Sequence, residues 1–515
     1  MPLTPAEKAA GLLIVRLGNN LPPAITASEQ ADSVAALLDR HPIGGLILFN
    51  GRWPETRDAL TRLQARSDAG LIVTTDMERG FGQQVAGGTV YPHAGAFARL
   101  GDPEAVRMFA RQASEEALAC GIHVTYSPVA DVHRNDDNPI IGTRAFGSDP
   151  AEAGRFVAAF VEGVHEAGQF ATAKHFPGHG GTSGDSHAEI PVLEDDRATI
   201  EASDLVPFRA AIEAGVDLVM TAHVAYPALD PSGLPATRSR AILHDLLREE
   251  MGFEGVVVTD SLQMAGAKDA NKTEAQVAVE LLQAGVDLFV DAVDPEAIIA
   301  GVAEAVEAGR LDEALLDAAL ARVDRLRQTF RARFGSEAFR TPPLPPETVA
   351  ASAHVDLAMR VAREAIEEAR GPLPDLGDGT GTLVVLIKRA PLPNEPVTMP
   401  MGEAVARLLP GAVYRELEPT HEDQDEDFDR IRLEAADAER VVIGTVVRPA
   451  AWHAFGLAAR ERRFAQRLME MKPTTLVVLG DDRGLRGFDA CRAALVAYSD
   501  VPASQIAAVE RLAGR

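Results

Sequence analysis

The sequence predicts an α/β protein, an N-terminal (β/α)₈ TIM-like barrel followed by a smaller α/β sandwich domain. Three observations carry this reading. Eight short apolar runs alternate with amphipathic helical patterns over the first ~300 residues, the rhythm of a parallel barrel. A proline-rich stretch, TPPLPPE, then breaks the rhythm, and Pro342, Pro343, Pro345 and Pro346 make it a stiff, extended linker. Beyond it, strand and helix patterns resume. At 515 residues the chain exceeds one compact core, so two domains are expected, 1–340 and 341–515. With 46% hydrophobic but only 5% aromatic residues, the composition favours α/β over all-β architecture.

The expected barrel strands are residues 12–17 (LLIVRL), 45–49 (GLILF), 71–76 (LIVTTD) and 123–132 (HVTYSPVADV). Residues 171–175, 217–224 (DLVMTAHV), 255–260 (GVVVTD) and 285–291 (GVDLFVD) complete the eight. Helical patterns such as 104–119 and 153–166 separate them, and a longer one over 313–334 ends the barrel. Chemistry in such barrels sits at the C-terminal ends of the strands. Asp76 closes the third run, Lys174 and His175 the fifth, His223 the sixth and Asp260 the seventh. One such residue would be an ordinary helix cap; the whole set converges on one rim. In the second domain an amphipathic helix is expected around 357–369, with strands at 383–387, 441–445, 476–479 and 494–497. The acidic run HEDQDEDFD, 421–429, reads as a solvated loop.

A formal charge of −26 argues against nucleic acid and against anionic membrane surfaces as partners. Cys120 and Cys491 lie far apart and form no disulfide framework, which suits a reducing compartment. The N-terminal MPLTPAEKAAGLLIVRLGNN lacks the basic flank and long apolar core of a secretory signal. No apolar run reaches membrane-spanning length, so the expected location is cytoplasmic.

The densest chemistry lies in ATAKHFPGHGGTSGDSHAEIP, 171–191. Pro177 and the glycines exclude a helix, so Lys174, His175, His179, Asp185 and His187 belong to a strand end and a loop. Asp185 and His187 are two apart, close enough for the carboxylate to hold one imidazole nitrogen and leave the other for proton transfer. By composition alone, catalysis, a metal site and plain loop structure all stay open. Helical i, i+4 ligation by His175 and His179 is blocked by Pro177.

KHFPGHG followed by DSH resembles the signature of family-three glycoside hydrolases, specifically the NagZ-type β-N-acetylglucosaminidases. Sister β-glucosidases carry KHF but lack the Asp-Ser-His on this loop. A second segment, GFEGVVVTDSLQM (252–264), resembles the family stretch whose Asp is the nucleophile, which maps to Asp260. The resemblance implies a retaining exo-β-N-acetylglucosaminidase that forms a covalent glycosyl-enzyme. Its acid/base would be His187 poised by Asp185, where the usual retaining enzyme has a second carboxyl group. It further implies sugar-hydroxyl ligands at Asp76 (TTDMERG), Arg144 (NPIIGTRAFG), Lys174 and His175. His223, in MTAHVAYP, matches a family segment, and a structural role at the rim fits it equally.

The implied substrate is a small GlcNAc-containing carbohydrate from turned-over cell wall, with no metal or organic cofactor. The oligomeric state stays open. A phosphorylase with the same residues, a β-glucosidase or xylosidase, and a non-catalytic sugar-binding barrel are the alternatives. One departure stands out: the family reads Asp-x-Glu-Gly-Gly-x-Val-x-Arg, whereas DMERGFGQQ puts Arg79 at a Gly and Gln84 at the final, sugar-binding Arg.

Overall fold

The eight apolar runs pair side by side in the computed structural model, which describes residues 2–388, 399–417, 424–447, 449 and 456–515. The strands are Leu13–Leu17, Gly45–Leu48, Ile72–Thr75, Val124–Thr125, Phe170–Phe176, Leu218–Thr221, Val256–Thr259 and Phe289–Val290. The first seven pair in parallel, each with its sequence neighbour, and the first also pairs with the eighth. Val258 bridges Leu288 in parallel, which brings the seventh run against the eighth and closes the expected (β/α)₈ barrel. Helices cover the outside and side chains fill the inside, so the second, third, fifth, sixth and seventh strands are buried throughout. That double burial is why they read as continuous apolar runs rather than as alternating ones.

Local signals set the helix ends. Thr4 caps Pro5–Gly11 through a capping box with Glu7. Asp149 accepts from Glu152 N to start Pro150–Ala167, and Gly168 at φ 92° ends it in the left-handed region. Two expected strands are reduced to two residues each. The fourth is only Val124–Thr125, because Pro128 has no N–H to give and the ladder continues as separate bonds. Thr172 N donates to Ser127 O at 2.9 Å and Ala130 N to Lys174 O at 2.6 Å. The eighth is Phe289–Val290, with Asp291 turning out of the sheet at φ 63°.

The second sheet has six strands in the order Glu367–Arg370, Ala493–Val496, Thr474–Gly480, Arg440–Val447, Thr382–Ile387 and Val413–Leu417. All pairs are parallel except the first, which is antiparallel. Leu383, Val385 and Ile387 enter one apolar core, Val384 and Leu386 the other, as the two-residue strand period requires. Helices Gln424–Asp437 and Ala459–Met471 supply the first core, Pro400–Leu408 and Pro502–Leu512 the second.

Three details differ from the sequence reading. The helix expected to run to 369 is Ser352–Ala365, and Glu367–Arg370 is an edge strand. Val413–Leu417 was not anticipated, since VYREL is a partly exposed edge strand without an apolar run. Of the acidic run, residues 421–423 lie outside the described residues, while 424–429 begin a helix instead of continuing as a loop. Phe428, Ile431 and Ala435 give that helix its buried stripe.

Contacts divide the chain into two compact units. One is Met1–Thr89, Pro103–Ile141 and Ala145–His354, and includes the proline-rich stretch. The other is Val90–Asp102, Gly142–Arg144 and Val355–Arg515. Among the described residues, no helix is long and apolar enough to cross a membrane.

Candidate active site

Lys174 and His175 lie next to the end of the fifth strand, Phe170–Phe176. Lys174 is nearly buried, and its Nζ donates to Asp76 Oδ1 at 2.7 Å and lies 2.8 Å from Glu78 Oε1. His175 Nδ1 lies 2.7 Å from Asp131 Oδ2, and its Nε2 lies 3.9 Å from Asp260 Oδ2. The Lys174–His175 and Phe176–Pro177 bonds are both cis. Asp131, fully buried, also accepts the N–H groups of His175 at 3.3 Å and His179 at 2.6 Å. Burial opposes its charge, yet His175, His179 and these bonds hold its carboxyl below the usual range. Sequence reasoning named neither Asp131 nor Glu78. The signal for Asp131 was its place at the rim end of the fourth run.

The loop after the strand is tied down at several points. His187 Nδ1 donates to Asp185 Oδ1 at 2.7 Å, and the same oxygen takes His187 N–H at 2.9 Å. Nδ1 of His187 is thereby committed to the carboxylate. His179, also buried, spans the loop: Nδ1 meets Thr182 Oγ1 at 2.7 Å and Nε2 meets Ser186 Oγ at 3.0 Å. Asn138 Nδ2 donates to the carbonyls of His179 and Thr182, both at 3.0 Å. Across the rim, Ala265 N donates to His187 O at 3.3 Å and Gly266 N to Ser186 O at 3.1 Å. The loop carrying His187 therefore docks on the segment that follows Asp260.

Asp260 extends from the end of Val256–Thr259, where Ser261 N donates to its Oδ1 at 2.7 Å. Burial opposes ionisation here too, but His175, His223, His187 and Lys174 together lower its pKa below the usual value. His223 lies at the sixth strand end, with Nδ1 2.9 Å from Thr237 Oγ1 and Nε2 3.3 Å from Ser261 O. Burial pushes its imidazole down. Gln84, at the departure from the family pattern, is nearly buried and accepts from Asn20 Nδ2 at 2.9 Å. The Arg79 backbone N–H donates to Gln83 Oε1 at 2.8 Å.

Of the sequence-predicted residues, Asp76, Lys174, His175, Asp185, His187 and Asp260 all lie in the barrel unit. Lys174 joins Asp76, His175 nears Asp260, and Asp185 holds His187. Arg144 closes the turn Gly142–Arg144, which clusters with the second unit. Among the described residues, no group of three or more His, Cys, Asp or Glu side chains could hold a metal ion.

The profile of the glycosyl hydrolase family 3 N-terminal domain matches residues 5–326. The chain belongs to this family. Beta-hexosaminidase A of Pseudoalteromonas piscicida is 32% identical over 384 residues, covering 66% of this family 3 chain and 62% of the relative. The chain thus spans less than two thirds of that protein's length. Beta-hexosaminidase of Idiomarina loihiensis is 36% identical over 275 residues, 52% of this chain and 81% of the relative. A family 3 beta-N-acetylglucosaminidase from Paenibacillus sp. str. FPU-7 superposes with a TM-score of 0.86 at 26% identity, covering 100% of this chain and 97% of that one. As a family 3 member the protein is a glycoside hydrolase. Its barrel rim brings His175 Nε2 within 3.9 Å of Asp260, and the loop after the fifth strand sets His187 against Asp185.

Proposed function

We propose that this glycoside hydrolase is a retaining exo-β-N-acetylglucosaminidase that removes terminal β-linked GlcNAc through a glycosyl–Asp260 intermediate. The observation that carries the reading is Asp260, held ionised by His175, His223, His187 and Lys174, beside a loop on which Asp185 fixes His187. Asp260 bonds to the anomeric carbon as the glycosidic bond breaks. The electron pair leaves on the aglycone oxygen, which takes a proton from His187 Nε2. Water then attacks the intermediate and returns that proton to His187 while Asp260 departs, which retains the anomeric configuration. Asp185 keeps Nδ1 protonated and the ring in place.

Asp76, Lys174 and His175 are proposed to grip sugar hydroxyls, since charged donors and acceptors left unpaired by a missing hydroxyl discriminate strongly. Arg144 joins them on resemblance alone. The aglycone is proposed to be a cell-wall fragment and the compartment cytoplasmic; both rest on the family likeness.

The test is incubation with a 5-fluoro N-acetylglucosaminyl fluoride followed by peptide mapping, beside turnover of paired GlcNAc and glucose aryl β-glycosides. The expected result is covalent label on Asp260 and a preference for GlcNAc with free sugar as product. Label on another residue refutes the nucleophile assignment. Sugar 1-phosphate formed when inorganic phosphate is added would make the enzyme a phosphorylase.

A further inference from the structure

Ser261 follows the proposed nucleophile directly, and each of its polar groups is engaged. Its N–H donates to Asp260 Oδ1 at 2.7 Å, and its Oγ donates to Asp291 Oδ2 at 2.6 Å. Its carbonyl accepts from His223 Nε2 at 3.3 Å and from Met264 N at 3.2 Å. Both side-chain anchors are themselves fixed. Asp291 is fully buried at the end of the eighth strand, with φ 63°, a backbone region uncommon outside glycine. It also accepts from Arg16 Nε at 2.7 Å and Gln263 Nε2 at 2.9 Å.

His223 must carry a hydrogen on Nε2 to reach Ser261 O, and its Nδ1 lies 2.9 Å from Thr237 Oγ1. Thr237 Oγ1 in turn donates to Ala222 O at 2.9 Å and accepts from Thr221 Oγ1 at 2.9 Å, so the residue that holds the ring is itself fixed.

One carboxylate oxygen of Asp260 is thus fixed and the other is not. Oδ2 stands 3.9 Å from His175 Nε2, too far for a hydrogen bond and close enough for attraction between charges. We propose that Ser261 is a positioning residue for the nucleophile: clamped by Asp291 and His223, it fixes Oδ1 and presents Oδ2 to the anomeric carbon. The proposal rests on the reading of Asp260 as the nucleophile. It gives His223, whose motif the reaction itself did not use, a part in the chemistry through Ser261.

Ser261→Ala keeps the backbone N–H but removes the link to Asp291, whereas Ser261→Thr keeps the hydroxyl. A reacting atom misplaced by an ångström costs up to ~10²-fold, so Ser261→Ala should lower kcat on an aryl GlcNAc glycoside ~10- to 100-fold. KM should stay within about twofold, as for an interaction expressed in the transition state. The thermal midpoint should hold, Ser261→Thr should recover most of the loss, and labelling of Asp260 by the 5-fluoro reagent should slow in parallel with kcat. Wild-type labelling rates in Ser261→Ala, or equal losses in both variants, overturn the clamp while leaving Asp260 as nucleophile. Label on a residue other than Asp260 in the wild type overturns the nucleophile reading and the clamp with it.

Discussion

Asp185 and His187 are two residues apart, and the carboxylate takes both the backbone N–H and Nδ1 of the histidine. A turn this tight needs little help from elsewhere in the fold, and it commits Nδ1 to the carboxylate. His187→Ala should therefore lower turnover of substrates with poor leaving groups by ~10²- to 10⁴-fold, the usual worth of a positioned proton donor. Aryl glycosides whose phenol leaves unaided should lose far less in the first step. Comparing kcat/KM across a series of leaving groups checks this, and equal losses along the series would assign His187 another task. Gln84 illustrates the opposite case. Its side chain is occupied by Asn20, so the residue that replaces the family arginine is built into the rim.

At the level of elements, the loop 178–191 works by being held against its neighbours, and two glycines permit this. A Cβ on Gly180 would lie 1.8 Å from Val132 O, so only glycine lets the loop pass the fourth strand's end. A Cβ on Gly266 would lie 2.9 Å from both Ser186 O and His223 Cβ, and 3.0 Å from Glu189 O. Those carbonyls belong to the loop backbone and yield only if the loop moves. Gly266→Ala should push His187 away from Asp260 at a cost of roughly 1–3 kcal/mol in packing strain. The expected kinetic mark is a loss concentrated on poor leaving groups, as for His187→Ala. A uniform loss across leaving groups in a leaving-group series would mean that the loop stays in place.

For the molecule as a whole, one buried ion pair couples distant parts of the barrel unit. Glu116, on helix Pro103–Cys120, accepts from Thr89 N at 2.9 Å and Oγ1 at 2.6 Å, and from Ala350 N at 3.1 Å. His354 Nδ1 meets the same carboxylate at 2.7 Å. Burial opposes the charge on His354, but its bonds to Glu115 and Glu116 outweigh this and raise its pKa to about 9. Since the folded value exceeds the ~6.5 of a free imidazole, the pair stabilises the fold fully below that pH. The contribution fades as pH rises through about 9. Thermal midpoints measured from pH 6 to 10 should fall for the wild type more steeply than for His354→Gln, and parallel curves would refute the coupling.

Much of this was legible in the amino-acid order. Residues 45–49, 71–76 and 255–260 read as strands because burial on both faces demands unbroken apolar runs. Asp185 and His187 were legible because their partnership is local. What sequence could not reveal depends on distant pairing. Asp131 looked like one more residue of an apolar run, and only the closed barrel puts it under His175 and His179. Asp291 and His223 stand 30 and 38 residues from Ser261, and only strand order brings them to it. The edge strands Glu367–Arg370 and Val413–Leu417 lack an apolar run because one side of each faces no neighbouring strand, so their pairing was decided by the sheet. Periodicity and short-range spacing are properties of the chain. The electrostatic field around Asp260 is a property of the fold, since no two of His175, His187 and His223 reach it from the same sequence distance.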